Sequence, residues 1–458
     1  MLCLDWECLS HFKEFKTHIQ NQICIFAQHL TKNVDLDIRV SMTILIKAAQ
    51  VIDAKSTFNG TKKDILITNG KITNIGNRLT AKNATVINHN NLCVSRGWFD
   101  SSVSFGEPGL EERETLSNGL ETAAKSGFTR IALNSNTHPK LDNHAIVAHV
   151  ISESKKKATY LHPIGNLTQA EDSNQLAELY DLKNAGAIGF GNFKNDIKDP
   201  NLFKIALQYC QHIDGLVVAF PQNSDIARGG IINEGVLSTQ LGVQGIPSLA
   251  EELQVARDLS LLEYTGGKLH IPTISTHKSI ALIKEAKKKG LNVTCSVAVH
   301  NLCFTENQLS AFDTRYKVLP PLRTEKDRIA LLKGVKSGTI DFVTSDHCPI
   351  DVDHKKMEID HAEHGTIGLE SAFGALMNHF SLDETITLLT KGKDRFGIED
   401  HPIEVGALAE ISLFTTHKPV PFERKDIVST SKNSAFLGYP MSGSAIGIVS
   451  KGLVSLKK

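Results

Sequence analysis

Residues 269–298 read LHIPTISTHKSIALIKEAKKKGLNVTCSVA, and they show the repeating unit of the chain. The stretch opens on Leu269-His-Ile, a short apolar run typical of a buried strand. Residues 278–289 follow, with apolar positions at helical spacing, and residues 292–297 form a second apolar and β-branched run. A strand, a helix and a second strand in this order indicate a βαβ unit with parallel strands.

The same alternation extends in both directions along the chain. Strands are predicted at 128–133, 158–164, 187–190, 216–220 and 340–344, and helices at 143–155, 175–184, 200–211, 248–264 and 326–337. Repeated strand–helix units over about 300 residues predict a parallel α/β protein, and the length suits a (β/α)8 TIM-type barrel. An open doubly wound sheet is the alternative. No Gly-x-Gly-x-x-Gly loop follows the first strand, which favours the barrel.

The segments that flank the barrel region have the texture of β-structure. Short β-rich runs fill residues 42–90 around Asn69-Gly70, a good hairpin turn, and similar runs lie at 409–414 and 446–456. We therefore predict a small β-sandwich domain made from 42–97 and 400–458, and a barrel over 98–399.

The first 41 residues differ from the rest of the chain. They carry charged residues where a secretory signal would need an apolar core. The favoured interpretation is an over-long gene start, with Met42 as the initiator and residues 1–41 poorly ordered or forming one helix. A genuine extension or docking helix is the alternative.

Composition excludes several classes of protein. The 458 residues hold 50 Lys and Arg against 50 Asp and Glu, and this zero balance argues against a nucleic-acid binder. No stretch approaches the roughly 18 apolar residues that a membrane span needs. The 8 cysteines are scattered without a Cys-x-x-Cys pair, so we expect neither a disulfide framework nor a zinc knuckle. A reducing cytoplasm is the predicted compartment.

Functional residues of a barrel lie at the carboxyl ends of its strands. Those ends read Asp100-Ser-Ser-Val-Ser, Asn134-Ser-Asn-Thr, Asn192-Phe-Lys, Phe220-Pro-Gln-Asn, Thr273-Ile-Ser-Thr, Val299-His-Asn-Leu and Ser345-Asp-His-Cys-Pro. Candidate site residues are therefore sought in these segments.

One of these segments resembles a known motif. Gly97-Trp-Phe-Asp-Ser-Ser-Val-Ser-Phe-Gly-Glu-Pro-Gly is similar to the first barrel motif of type I dihydroorotases of the amidohydrolase superfamily, Asp-x-His-x-His-x-Arg-Glu-Pro-Gly. The resemblance continues through Gly229-Gly-Ile-Ile-Asn-Glu-Gly, Pro320-Pro-Leu-Arg and Thr344-Ser-Asp-His-Cys-Pro to Ser431-Lys-Asn-Ser-Ala-Phe-Leu-Gly. This ordered series covers essentially all of residues 42–458.

The departures from the family pattern fall on its metal and substrate positions. The resemblance implies that the family's zinc ligands are replaced here by Ser102, Ser104, Asn192, Phe220 and Thr273, while Asp346 keeps a ligand or base position. Substrate positions are changed to Gly106, Leu319 and Ile350. Asn136 survives as a possible substrate contact, and Gly365 is a weaker one.

These replacements predict the loss of tight zinc binding. Zinc takes imidazole, thiolate or carboxylate ligands, which hydroxyl, amide and phenyl groups do not replace. The family's reaction, hydrolysis of a cyclic amide, needs a metal to lower the pKa of bound water from about 16 to near 7. We therefore expect no cofactor.

Two other catalytic arrangements stay open at this point. A metal site could be rebuilt from residues near the loops: His277, Cys295, His300, His347, Cys348 and His364. A serine nucleophile at Ser102 or Ser104 would lack both a Gly-x-Ser-x-Gly elbow and an evident partner histidine.

The favoured function is that of a metal-free pseudoenzyme of pyrimidine biosynthesis. Non-catalytic chains of the resembled family accompany aspartate transcarbamoylase, so the resemblance implies that enzyme, or an active dihydroorotase, as the partner. The alternative is an active cyclic amidohydrolase with a relocated metal and Asp346 as general acid and base. A third hypothesis is a small-molecule sensor that uses a pocket around Asn136, Asp346 and Gly365. We expect a homo-oligomer, with no nucleic-acid or membrane partner.

Overall fold

The computed structural model describes residues 42–169 and 174–457, and its centre is a closed parallel sheet. Eight strands follow one another in chain order: Trp98–Val103, Phe128–Leu133, Tyr160–Gly165, Gly189–Phe190, Val217–Val218, Leu269–Ile271, Val293–Ala298 and Phe342–Thr344. A parallel bridge between Val103 and His347 joins the last strand to the first. The sheet is therefore a barrel, and the predicted fold class is confirmed.

Helices cover the outside of this barrel and connect its strands. The α-helices of the described residues are Leu116–Lys125, His144–Ser154, Leu179–Ala185, Pro200–His212, Val236–Leu241, Ser248–Thr265, His277–Lys288, Val299–Cys303, Glu325–Lys336, Val352–Lys355, Leu369–Leu376, Leu382–Thr390 and Gly392–Arg395. Short 3-10 helices lie at Glu306–Leu309, Thr314–Tyr316 and Arg424–Asp426. Several helices begin where a polar side chain accepts a hydrogen bond from a first-turn N–H, as Thr115, Asn143 and Thr276 do.

A second sheet takes its strands from both flanks of the barrel. Its eight strands are Thr43–Val51, Lys62–Thr68, Lys71–Gly76, Thr85–Ile87, Cys93–Arg96, Ile411–Thr415, Ser444–Ser450 and Leu453–Leu456. Asn69 and Gly70 both have positive φ, 52° and 74°, as a tight hairpin turn requires. Apolar residues of both flanks, among them Ile46 and Leu413, share one buried cluster in this sheet. Two short two-stranded sheets pair Ile232–Asn233 with Gly245–Ile246, and Val420–Pro421 with Pro440–Met441.

The domain limits 42–97, 98–399 and 400–458 stay predictions. The expectation for residues 1–41 lies outside the described residues. No helix of the described ranges is both long enough and apolar enough to cross a membrane.

The largest differences between predicted and observed elements concern one helix and one strand. The helix predicted at 175–184 begins only at Leu179, because Ala177 and Gln175 bond to the neighbouring backbone instead: the N–H of Ala177 donates to the carbonyl of Leu167 at 3.0 Å, and the carbonyl of Gln175 accepts from Gln169 at 3.2 Å. The strand predicted at 216–220 is reduced to Val217–Val218.

The amino end of the first barrel strand is fixed against the second sheet. The Trp98 ring lies 5.5 Å from Phe414 of that sheet and 4.9 Å from Phe373, measured between ring centroids. Trp98 is fully buried, and its indole N–H donates to Ser95 at 2.9 Å. Since one end of the strand is held here, its carboxyl end is placed firmly at the opposite side of the barrel.

Candidate functional site at the barrel mouth

The carboxyl ends of the barrel strands enclose a very small space, which we call the barrel mouth. It is lined by side chains from several strand ends, including Ser102, Asn134, Phe193, Lys194, Phe220, Thr273 and Asp346. The cavity among them measures about 20 Å³. That is room for about one water molecule and leaves no space for a small organic molecule.

Asp346 is held by two partners that occupy both of its carboxylate oxygens. The Lys194 ammonium lies 2.9 Å from Oδ2, and the Ser102 hydroxyl donates to Oδ1 at 2.9 Å. The side chains of Lys194 and Asp346 are only 12% and 3% exposed. Burial alone would lower the pKa of Lys194, but the adjacent Asp346 carboxylate outweighs burial and raises it. A positive charge belonging to the protein therefore sits beside Asp346, the ligand or base position of the family pattern that this chain keeps.

Asn134 completes this network from the second barrel strand. Its amide nitrogen donates to the hydroxyls of Ser102 at 3.0 Å and Ser104 at 3.3 Å. Ser102 thus accepts from Asn134 and donates to Asp346, so its hydroxyl is engaged on both sides. The partner of Ser102 is a carboxylate and not a histidine, which does not suit a serine nucleophile.

The remaining replaced positions contribute structure instead of metal donors. The amide oxygen of Asn192 accepts from the backbone N–H groups of Leu167 and Thr168, at 3.0 and 3.3 Å. Its nitrogen donates to the Thr168 hydroxyl at 3.0 Å. Asn192 therefore ties two neighbouring loops together, while Phe220 and Thr273 fill the mouth with buried carbon.

The backbone at the mouth adopts an unusual conformation in three places. Phe193, Thr273 and Asp346 have φ values of 49°, 48° and 48°, in the left-handed region that bulky residues rarely enter. Each costs on the order of 1–3 kcal/mol, and such residues cluster at functional sites of proteins. The backbone of the mouth therefore has the conformation that is common at functional sites.

Asp100 joins the ends of the first and last strands just below the mouth. Its carboxylate accepts from the N–H groups of Ser345 at 2.9 Å and Ser102 at 3.0 Å, and from the Thr344 hydroxyl. Burial raises the pKa of Asp100 despite these bonds. The sequence pattern places Asp100 at a strand end but contains no signal for this brace, because the brace depends on closure of the barrel.

Four of the six residues that could have rebuilt a metal site are bonded to groups outside this set. His347 pairs with Glu114 at 2.8 Å, and His277 pairs with Asp327 at 2.7 Å. His364 bonds to the carbonyl of Ile231 at 3.0 Å, and the Cys295 thiol lies 3.5 Å from the carbonyl oxygen of Thr339.

Burial sets the protonation of the remaining two. It lowers the pKa of His300 to about 4 and raises the pKa of Cys348. Across residues 42–169 and 174–457, no three His, Cys, Asp or Glu side chains are grouped to hold one metal ion. The donor set present therefore does not fit the zinc that the family uses.

The two predicted substrate contacts are not among the residues that line the mouth cavity. The N–H of Gly365 donates to the carbonyl of Lys317 at 3.0 Å, and its carbonyl accepts from Asn433 at 3.3 Å. The amide oxygen of Asn136 is buried without a hydrogen-bond partner among the described residues. Their substrate roles stay predictions.

A parallel barrel with polar side chains gathered at its strand ends is the layout of a barrel enzyme or a close relative of one. A sequence model of the family described as Dihydro-orotase-like matches residues 92–279. The dihydroorotase of Acetivibrio thermocellus is 35% identical over 423 residues, covering 91% of this chain and 99% of that protein. The dihydroorotase of Geobacter sp. strain M21 is 34% identical over 421 residues, covering 90% and 99%.

Solved structures agree with this fold. The L-hydantoinase (dihydropyrimidinase) of Arthrobacter aurescens has a TM-score of 0.76 at 21% identity, and covers 91% of this chain and 96% of its own. The dihydropyrimidinase of Brevibacillus agri gives a TM-score of 0.76 at 21% identity, with 91% and 95% covered. The chain has the amidohydrolase fold, and it belongs to the dihydroorotase family.

Proposed function

We propose that this chain is a non-catalytic dihydroorotase homologue of pyrimidine biosynthesis that acts as a structural or regulatory partner of aspartate transcarbamoylase. One observation carries the proposal: the Lys194–Asp346 ion pair fills the barrel mouth where the family pattern would hold a metal. An ammonium next to the retained carboxylate repels a divalent cation and takes the oxygen that would bind it.

The chemistry of cyclic amide hydrolysis supports the same conclusion. Water needs activation by a metal or by a free base, and both carboxylate oxygens of Asp346 are already bonded to donors of the protein. Gly106 stands where the family pattern has an arginine, so no guanidinium at that position would clamp the substrate carboxylate. A cavity of about 20 Å³ also leaves no room for the substrate.

The barrel scaffold is tightly packed at both of its ends, which supports a role that depends on shape. A Cβ added at Gly97 would lie 2.0 Å from the Thr129 hydroxyl oxygen, and one at Gly191 would lie 2.3 Å from the carbonyl of Val218. Substitutions at these positions would disturb the barrel, so their glycines preserve its shape. Such a barrel can present a surface to a partner without doing chemistry.

The second candidate function is an active dihydroorotase, which the names of the relatives favour. It would require that the Lys194 ammonium leave Asp346 and that donors other than those at the mouth bind the metal. Asp346 would then act as general acid and base. This candidate differs from the first in turnover and in metal content.

Mixing the purified full-length chain with the aspartate transcarbamoylase of its own organism tests the proposal. We expect the two proteins to co-sediment in analytical ultracentrifugation. A separate mixture with an active dihydroorotase of the same organism tests the other proposed partner. We also propose a cytoplasmic location and a homo-oligomer for the free chain. Asp346→Asn is the matched control once circular dichroism has shown that it folds, because a folded scaffold should bind its partner without that carboxylate.

Turnover of dihydroorotate by the same preparations separates the two candidates. The proposal expects wild type and Asp346→Asn to be indistinguishable from a protein-free blank. A wild-type rate that disappears in Asp346→Asn would replace the proposal with the enzymatic candidate.

A further inference from the structure

A second cavity, which we call the basic cavity, is lined in part by residues that closely follow Asp346 in the chain. It shares no lining residue with the barrel mouth. It is formed by residues 350–356 after the last barrel strand, by 313–315, and by 430–437, and it measures about 630 Å³. Cavities of about 300–1,000 Å³ are typical ligand sites. Space for a ligand of the size of a nucleotide thus exists outside the mouth.

Four cationic side chains that line the basic cavity stand apart from the carboxylates of the described residues. Within the described residues, no Asp or Glu oxygen lies in ion-pair contact with Lys355, Lys356, Arg424 or Lys432. Lys356 and Arg424 are exposed at the rim. Cations left unpaired around a concave space attract anions.

Two of these lysines are held in place by backbone carbonyls. Lys355 is only 4% exposed. Its ammonium donates to the carbonyls of Lys317 and Glu363, both at 2.8 Å. The Lys432 ammonium donates to the carbonyls of Ile427 at 3.1 Å and Ser429 at 2.5 Å. An ammonium has three donors, so each of these keeps one for a ligand.

The acidic residues in the walls do not cancel this charge. Asp313 forms an ion pair with Arg315 at 2.5 Å. Asp351 pairs with His354 at 2.8 Å and caps the helix Val352–Lys355 through the N–H groups of Asp353 and His354. Among the acids that line the cavity, only Glu112 has no ion-pair partner within the described ranges, and it is exposed.

We propose that the basic cavity binds a small polyanion, a phosphorylated metabolite whose phosphate oxygens accept from Lys355, Lys432, Lys356 and Arg424. Charge-assisted hydrogen bonds to phosphate are among the strongest in proteins, and a guanidinium can bind two oxygens at once. Ile350, Val352 and Leu437 add apolar wall for the carbon part of such a ligand. The site goes beyond the proposed function and does not depend on whether dihydroorotate is turned over.

Isothermal titration calorimetry of the full-length chain with inorganic pyrophosphate at low ionic strength tests the site. The test variant is Lys356→Gln/Arg424→Gln, which changes only exposed rim residues and should leave folding intact. The matched control is Arg228→Gln/Lys326→Gln, an exposed arginine and an exposed lysine that do not line this cavity. Adenosine 5′-diphosphate and adenosine are titrated in parallel to distinguish a nucleotide from free phosphate.

We expect one pyrophosphate to bind per chain. Its affinity should be at least about tenfold weaker in the rim variant and unchanged in the control. Tighter binding of the nucleoside diphosphate than of pyrophosphate would identify a nucleotide as the ligand, and equal binding would identify the phosphates alone. No saturable binding at millimolar concentrations, or binding that the rim variant leaves unchanged, would overturn the proposal.

Discussion

Asp346 in the barrel mouth and Ile350 in the basic cavity are four residues apart in the chain, yet the two sites treat charge in opposite ways. In the mouth, Lys194 neutralises Asp346, and about 20 Å³ of space remains. In the basic cavity, four cations have no carboxylate partner among the described residues, and about 630 Å³ stays open. Binding needs both free donors and space, so the comparison favours the basic cavity over the mouth as a ligand site.

The largest expected effect tests whether the mouth is stabilised by its own ion pair. Lys194→Met leaves the Asp346 carboxylate buried without its cation, and we expect a loss of about 3–5 kcal/mol in the free energy of unfolding. Lys194→Met/Asp346→Leu removes both charges and should recover most of that loss. Urea unfolding followed by circular dichroism measures all three proteins.

The matched control for this series is Lys198→Met. Lys198 pairs with Asp225 at 3.1 Å, but both side chains are exposed, at 65% and 73%. Its loss should cost less than about 1 kcal/mol. Equal losses for Lys194→Met and Lys198→Met would show that the mouth pair is no different from a surface pair.

A second prediction concerns His347, which follows Asp346 in the chain. Its side chain pairs with the buried carboxylate of Glu114 at 2.8 Å. Burial would lower the pKa of His347, but Glu114 outweighs burial and raises it above the ordinary value near 6.5. Protonation occurs at Nδ1, which in the neutral ring accepts from the N–H of Gly368 at 3.2 Å, so the charged ring gives up that bond. The stabilisation is therefore complete below about pH 6.5 and is lost as the pH rises through the folded-state pKa. We expect His347→Gln to cost about 2 kcal/mol at pH 6 and clearly less at pH 9.

Unfolding free energies of wild type and His347→Gln, measured at both pH values, provide the check. The exposed pair of His354 and Asp351 supplies the control His354→Gln. A cost for His347→Gln that is the same at pH 6 and pH 9 would contradict a charged buried pair.

The smallest expected effect lies in the basic cavity. Burial lowers the pKa of Lys355 to about 7; Cys348 and Glu363 act to raise it, and Lys317 and Lys194 act to lower it. An anion binds the protonated lysine, so affinity should fall as the pH rises through 7. With sulfate, whose own charge is constant in this range, we expect at most about tenfold weaker binding at pH 8 than at pH 6.

Lys355→Met is the corresponding control for this pH dependence. Its sulfate affinity should be lower than that of wild type and nearly level between pH 6 and pH 8, once circular dichroism has shown that it folds. A pH dependence that persists in Lys355→Met would assign the titration to another group.

Much of the fold could be predicted because its strongest patterns are local. The helix predicted at 248–264 is observed at Ser248–Thr265, and Leu269–Ile271 is a strand as predicted. The prediction was wrong for the start of the helix at 175–184, where backbone bonds to residues 167–169 win over helical propensity. Such pairing depends on the position of a neighbouring loop, which periodicity does not reveal.

The candidate site was predictable in part. The structure brings Ser102 and Asp346 into direct contact, and both are residues that the strand ends and the resemblance single out. Lys194 stands within the strand end Asn192-Phe-Lys, but its role was missed, because its partner Asp346 is 152 residues away. The basic cavity was missed for the same reason, since its cations come from separate segments of the chain and no spacing links them.

Metal stoichiometry tests the central claim most directly. Elemental mass spectrometry would be applied to full-length protein purified without chelators from zinc-supplemented cells. If Lys194 and Asp346 close the barrel mouth, we expect the measured content to be well below one metal ion per chain. One or two tightly held metal ions per chain would contradict it, and would show that the mouth opens to rebuild the metal centre of an active dihydroorotase.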